Sequence, residues 1–408
     1  MLHVIRSHQG RPSDDPIFAL NQEALLRREK GESIVNATVG VLLDDHGRLS
    51  VLPTAARVVH EVSSSAWAWA PYAPISGDPA FLRAVMDDLL GSEPALRTIA
   101  LASATPGGSG ALRHAIDNFL EPGQALLTTS YYWSPYHTLA EEAGRTIDTF
   151  SMFEGPLAAS QGLDTSALDR ALAGHMKSQG RVLLFLNDPC HNPTGYSMRP
   201  EEWRRVVQCL LAHAEEGPVT LLVDCAYLAY DPGDSRAFLR ELVPLVGRVG
   251  LLFAWSASKT FTHYGLRVGA IVACLEGEAE RKTTEAALSY SARGTWSNCS
   301  SGGQSAIARL LIESDLRDGC TAERNMLRAM LRARVDAFNG IARAKGLAYP
   351  RYDGGFFVTV FHENAVEKAA AMRKAGVFVI PFKGALRVAL CAVAERDVPR
   401  LVDALVEG

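Results

Sequence analysis

Short apolar, β-branched runs alternate along the chain with longer stretches in which apolar side chains recur every three or four positions. The runs predict strands over Ala125–Thr129, Arg145–Phe150, Arg181–Asn187, Val219–Asp224, Gly250–Trp255 and Val268–Cys274. The longer stretches predict helices over Pro135–Ala143, Thr165–Ala173 and Pro200–Ala214. Ser134 before Pro135 reads as a helix cap with a first-turn proline, and Pro200 is followed by the acidic pair Glu201–Glu202. Strands alternating with helices predict an α/β protein: a three-layer αβα sandwich around a mostly parallel central sheet.

The pattern changes after residue 321. Ala322–Lys345 predicts one long helix, followed by a strand over Gly355–Phe361 and a helix over Glu363–Ala375. Two short strands, Val377–Pro381 and Leu386–Leu390, and a closing helix complete a smaller α+β unit. The first fifty or so residues, with Pro12, Pro16, Gly31 and Gly40, lack strand patterning. The expected division is therefore 1–49 as an N-terminal arm and part of the small domain, 50–321 as the large domain, and 322–408 as the small C-terminal domain.

Composition narrows the class without supplying chemistry. The 408 residues are 48% hydrophobic and 21% charged, which fits a globular chain and excludes wholesale disorder. A formal charge of −4 without a basic block speaks against nucleic acid or an anionic membrane as partner. Apolar stretches such as Val182–Leu186 and Val268–Leu275 fall far short of the ~20 residues that span a bilayer. Arg6, Arg11, Asp14 and Asp15 interrupt any signal-peptide core. Seven scattered cysteines with no CxxC pair predict neither a disulfide scaffold nor a structural metal site, and a cytoplasmic location is expected.

Chemistry concentrates at three strand ends. Lys259 follows a strand within Trp255-Ser256-Ala257-Ser258-Lys259-Thr260, with Arg267 eight residues on. A lysine amine becomes a nucleophile or base only when burial or a nearby cation lowers its pKa, and Arg267 is a candidate for that cation. Upstream, one strand runs into Asp188-Pro189-Cys190-His191-Asn192-Pro193-Thr194-Gly195 and another into Asp224-Cys225-Ala226-Tyr227. Ligands gather at the carboxyl ends of strands in open α/β sheets, so Asn192, Asp224, Tyr227 and Lys259 are expected to converge. Each has an ordinary alternative, since Asn-Pro starts turns, aspartate after a strand caps helices, and a loop lysine is usually solvated.

Together, His191–Gly195, Asp224-x-Ala226-Tyr227 and Ser256-x-Ser258-Lys259 with Arg267 resemble the fold-type I, pyridoxal-phosphate-dependent aminotransferases of the aspartate and aromatic class. The resemblance implies that Lys259 is the Schiff-base lysine and later moves the proton at the substrate Cα. It implies that Asp224 pairs with the ring nitrogen of the cofactor, and that Asn192 and Tyr227 bond its phenolic oxygen. The glycine-rich turn Thr105–Leu112 falls where the family holds the phosphate, through Gly108 and Ser109 with Ser256, Ser258 and Arg267. Tyr72 matches a tyrosine that reaches the phosphate of the partner subunit, which implies a homodimer with shared active sites. Trp133 matches the aromatic residue stacked on the cofactor ring and facing the substrate; core packing is its alternative.

On the substrate side, Arg387 matches the clamp for the α-carboxylate, Asn192 and Gly40 lie beside it, and Arg293 matches the residue that binds a second carboxylate. Cys299-Ser300 follow Ser297-Asn298 where the family has two prolines, which leaves a dicarboxylate preference open. His137 lies four residues after Trp133 where the family spacing is three, so no role behind Asp224 is given to it. The implied function is transfer of an α-amino group from an amino acid to a 2-oxo acid by a ping-pong cycle. The same apparatus also runs elimination, replacement, decarboxylation or oxidation, which remain the alternatives. A ligand-sensing regulator would need a further DNA-binding domain for which no segment is expected.

Overall fold

The computed structural model describes residues 3–11, 16–155, 162–382 and 384–407; Pro12, Asp14 and Asp15 of the arm lie outside the described residues. The strands are β1 (Val35–Asn36), β2 (Ala100–Pro106), β3 (Ala125–Thr129), β4 (Thr146–Phe150), β5 (Val182–Asn187), β6 (Val219–Asp224), β7 (Gly250–Ser256) and β8 (Val268–Cys274), then β9 (Val358–Phe361), β10 (Val377–Phe378), β11 (Ile380–Phe382) and β12 (Ala385–Val388). Seven of them form the central sheet in the order β2-β8-β7-β6-β5-β3-β4. β8 runs antiparallel to both its neighbours, and every other adjacent pair is parallel.

β5, β6 and β8 are buried at every position, as strands covered on both faces must be. The pleat of β5, β6 and β7 divides side chains between two cores. Leu183, Phe185, Leu222 and Leu252 pack with Leu112 and Ile116 of the helix Gly107–Phe119 and Leu288 of the helix Glu278–Thr295. Leu184, Leu221, Val223 and Phe253 pack instead with Leu172 of Thr165–Gln179, Val206 of Pro200–His213 and Leu242 of Ala237–Leu242. Each such side chain contributes roughly 1.5–3 kcal/mol on burial, so the alternation fixes which face every helix covers.

Several elements differ from the sequence expectation for physical reasons. β2 was not anticipated, because Ala100–Pro106 is built of small residues with little intrinsic strand preference; all seven pair with β8. The helix expected to end at Ala173 continues to Gln179, burying His175 and Met176, and stops at Gly180 with φ of 69°. The long helix begins at Ser314, not Ala322, because Leu316 and Cys320 add buried positions upstream. Ser134 makes no capping bond with its side chain, and Pro135 alone starts that helix. Val377–Pro381 splits between β10 and β11, which belong to different sheets.

The smaller unit holds the antiparallel sheet β11-β12-β9 beneath the helices Ser314–Ala344 and Val398–Val406. Its core also takes Val35, Ala37 and Leu42 from the chain's beginning, and β1 pairs in parallel with β10. Arg334, fully buried on the long helix, donates to the carbonyls of Cys391 and Leu43 at 2.8 Å each and to Asp45 at 2.8 Å. One guanidinium therefore ties both chain ends to the long helix.

Candidate active site

β5, β6 and β7 are parallel neighbours, so their carboxyl ends meet on one rim of the sheet. β5 ends at Asn187, whose amide donates to the Asp224 carbonyl at 2.7 Å and whose oxygen accepts from the Asn192 N–H at 2.6 Å. This one side chain sets the loop carrying Asn192 against the end of β6. Nothing in the motif spacing had singled it out. β7 ends at Ser256, and the turn Ala257–Thr260 that follows carries Lys259, with Ser256 Oγ accepting from the Ser258 N–H at 3.2 Å.

Asp224 is buried. Its Oδ2 accepts from the Tyr136 hydroxyl at 2.7 Å and its Oδ1 from the Ala226 N–H at 3.1 Å. Burial pushes its pKa up, against the lowering effect of Tyr136, Ala226 and Lys259. Lys259 shows the converse: burial lowers its pKa, Asp224 opposes the shift, and Arg267 reinforces it as the sequence suggested. Its ammonium nitrogen sits 5.3 Å from the centre of the Tyr227 ring. The Asn192 amide donates to the Tyr227 hydroxyl at 3.3 Å, while Asn192 Oδ1 is buried with no hydrogen-bond partner among the described residues.

Arg267 donates to Ser258 Oγ at 3.2 Å, to the Tyr264 carbonyl at 3.0 Å and to the Pro106 carbonyl at 3.3 Å. It thereby lies against the open N-terminus of the helix Gly107–Phe119. Gly107 has φ of 72°, and a Cβ there would come within 2.4 Å of Arg267 Nη2, so only glycine permits this approach. A guanidinium, two serines and a helix N-terminus form an anion cradle.

All the expected site residues except Tyr72 and Arg293 line one cavity of about 340 Å³. Gly40, Trp133 and Arg387 are among its lining residues. A Cβ on Gly40 would overlap the Phe357 ring at 2.3 Å. Arg387 donates to the Thr38 carbonyl at 2.7 Å and lies 4.9 Å from the centre of the Phe357 ring. Ile17, Phe18, Val39, Val41, Leu112 and Phe357 add apolar wall beside Pro135 and Ala226, and no motif assigned these six to the site. Tyr72 is 91% exposed, and Arg293 donates to Ser297 Oγ at 2.6 Å outside the cavity. His137 is exposed; Tyr136, three residues after Trp133, holds Asp224 instead, and that spacing was the signal that could have found it. A larger cavity of about 590 Å³, between Asp88 and Arg324, contains none of the expected site residues.

The donor set fits pyridoxal phosphate. The cradle matches a phosphate, buried Asp224 matches a protonated ring nitrogen, Asn192 Oδ1 is a buried polar atom without a partner among the described residues, and Lys259 offers an amine of lowered pKa. Fold and site together define a pyridoxal-phosphate-dependent enzyme of the open α/β kind.

Comparison with known proteins agrees. The chain belongs to the aminotransferase class I and II family, whose model matches residues 32–405. It is 28% identical over 404 residues to a tyrosine aminotransferase of Klebsiella pneumoniae, covering 96% of this chain and 97% of that one. It is 30% identical over 313 residues to an aspartate aminotransferase of Pseudomonas aeruginosa, covering 74% of each. A crystal structure of an aminotransferase from Anaerococcus prevotii superposes with a TM-score of 0.92 at 32% identity, covering 100% of this chain and 99% of that one. The protein is a pyridoxal-phosphate-dependent aminotransferase, so the expected amino transfer holds over the elimination, replacement, decarboxylation and oxidation that the cofactor motifs alone left open.

Proposed function

We propose that this aminotransferase acts on amino acids with large apolar side chains, passing the amino group to a 2-oxo acid such as 2-oxoglutarate. The observation that carries this is the cavity wall. One carboxylate clamp, Arg387, stands among Ile17, Phe18, Val39, Val41 and Phe357, while Arg293 bonds Ser297 in its own chain. An apolar wall rewards each buried methylene with ~0.8 kcal/mol and offers a second carboxylate no partner.

Bound pyridoxal phosphate supplies an electron sink for the charge left when the Cα–H bond breaks. The chain's residues do the rest. Arg387 forks the α-carboxylate and fixes the substrate's orientation. Lys259, with its lowered pKa, takes the Cα proton and returns it. Asp224 would pair with the ring nitrogen of that cofactor, Asn192 and Tyr227 would bond its phenolic oxygen, Trp133 would pack on its ring, and Gly108, Ser109, Ser256, Ser258 and Arg267 would hold its phosphate. Gly40 leaves room for Phe357 beside the substrate.

A homodimer is part of this reading. Tyr72 sits outside the chain's own cavity and is 91% exposed, and a second chain would bring it to the neighbouring site. The division into a large domain of 50–321 and a small one of 1–49 with 322–408 is supported by the shared core of Val35, Leu42 and the C-terminal segment. Free thiols at all seven cysteines support a cytoplasmic location, and no helix among the described residues is long and apolar enough to cross a membrane.

The test is a substrate panel. Phenylalanine, tyrosine or leucine should discharge the absorption of bound pyridoxal phosphate, and 2-oxoglutarate should restore it. Discharge by aspartate and glutamate alone would contradict the proposed substrate class.

A further inference from the structure

We propose that the cavity of about 590 Å³ between Asp88 and Arg324 is a second ligand site, one that binds a small anion carrying two or more negative charges. It lies where the helix Ser314–Ala344 faces Asp88, Arg236 and Trp255, and its volume suits a small molecule. Arg317, Thr321, Arg324 and Arg328 succeed one another at steps of four, three and four residues. The helix therefore turns them to one face, and all four line the cavity.

The carboxylates of the wall are already engaged. Asp88 accepts from Arg236 at 3.0 Å through Oδ1 and from the Trp255 indole at 2.9 Å through Oδ2, while Asp87 pairs with Arg97 at 2.7 Å. Arg324 and Arg328 form no ion pair with a carboxylate among the described residues. Arg324 donates to the Thr260 carbonyl at 2.8 Å and lies over the Phe261 ring, and Arg328 donates to the Asp231 carbonyl. Burial lowers the pKa of Arg324; Asp88 opposes the shift and Arg236 adds to it. Tyr230 stands close enough to both guanidiniums that each lowers its pKa against the effect of burial. It is 3% exposed, and its hydroxyl has no hydrogen-bond partner among the described residues. Tyr230 lines an adjoining cavity of about 370 Å³ that shares Asn325 and Arg328 with the first. Two guanidiniums short of a counter-charge, beside an orphaned hydroxyl, suit the oxygens of a phosphate compound or a polycarboxylate.

The site also stands behind the catalytic turn. Thr260, whose carbonyl Arg324 holds, follows Lys259, and Cys225 of the cavity wall follows Asp224. Negative charge placed there favours the protonated state of the nitrogen at Lys259.

The test titrates the holoenzyme, its phosphate cradle filled by the cofactor, with pyrophosphate and with citrate in a calorimeter at constant ionic strength. At least one should bind, and the tighter of the two assigns phosphate or carboxylate chemistry. Binding should weaken about tenfold in Arg324→Gln and in Arg328→Gln, the worth of a hydrogen bond to a charged group. It should persist in Arg387→Ala, which lacks the substrate clamp. Without anion, Arg328→Gln should turn over substrate like the parent. Saturating anion should raise the pH midpoint of the bound cofactor's visible absorption by about 0.3 unit in the parent. Arg328→Gln at the same anion concentration should show a smaller rise. Failure of both anions to bind would overturn the proposal, as would binding that is lost in Arg387→Ala and kept in both glutamine variants. A midpoint unmoved at saturation would overturn the link to Lys259.

Discussion

His114 is fully buried against Trp296, ring centres 4.5 Å apart, and neither of its nitrogens has a hydrogen-bond partner among the described residues. Burial, with Arg113 adding to it and Asp117 opposing, lowers its pKa to about 4 from 6.5. The unfolded chain therefore binds this proton more readily, so stability is full above about pH 6.5 and is lost as pH falls toward about 4. Between about pH 7 and pH 5 this one group costs about 2 kcal/mol. In urea titrations, His114→Phe should lose about 2 kcal/mol less than the parent over that interval. Equal losses would show that the ring does not stay neutral. Single residues of this kind are hard to read from sequence. Lys259, Asp224 and Asn192 stood out because motifs surround them, whereas Asn187 and Tyr136 act through hydrogen bonds to residues far along the chain. Only folding creates those neighbours.

Elements were more legible than their ends. β3, β6 and β8 match the hydrophobic pattern residue for residue, because buried strands admit little else. β2 escaped notice since its strand character comes from pairing with β8 rather than from its own residues. The turn from β2 into the helix Gly107–Phe119 is the element on which the phosphate cradle depends. Alanine at Gly107 would hold a side chain in the left-handed region, at roughly 1–2 kcal/mol, and drive its Cβ into Arg267. Gly107→Ala should weaken affinity for pyridoxal phosphate at least tenfold by equilibrium dialysis, with the apoenzyme still folded by circular dichroism. Unchanged affinity would place the phosphate elsewhere.

Across the whole molecule, the site lies where the small unit meets the carboxyl ends of β5, β6 and β7. Arg387 comes from β12, Phe357 from just before β9, and Thr359 Oγ1 donates to the Pro193 carbonyl at 2.9 Å. The alternation of strands and helices announced the sandwich, and the motifs announced the cofactor. The substrate wall stayed hidden because Ile17, Phe18, Val39 and Phe357 are distant in sequence and carry no reactive group. All of these pieces converge on one claim, that Lys259 moves the proton at the substrate Cα. Its most direct measurement is the single-turnover rate at which phenylalanine discharges the absorption of pyridoxal phosphate bound to Lys259→Ala. The expected rate is at least about 10²–10⁴-fold below that of the parent, the range for loss of a general base. A rate equal to the parent's would contradict the account.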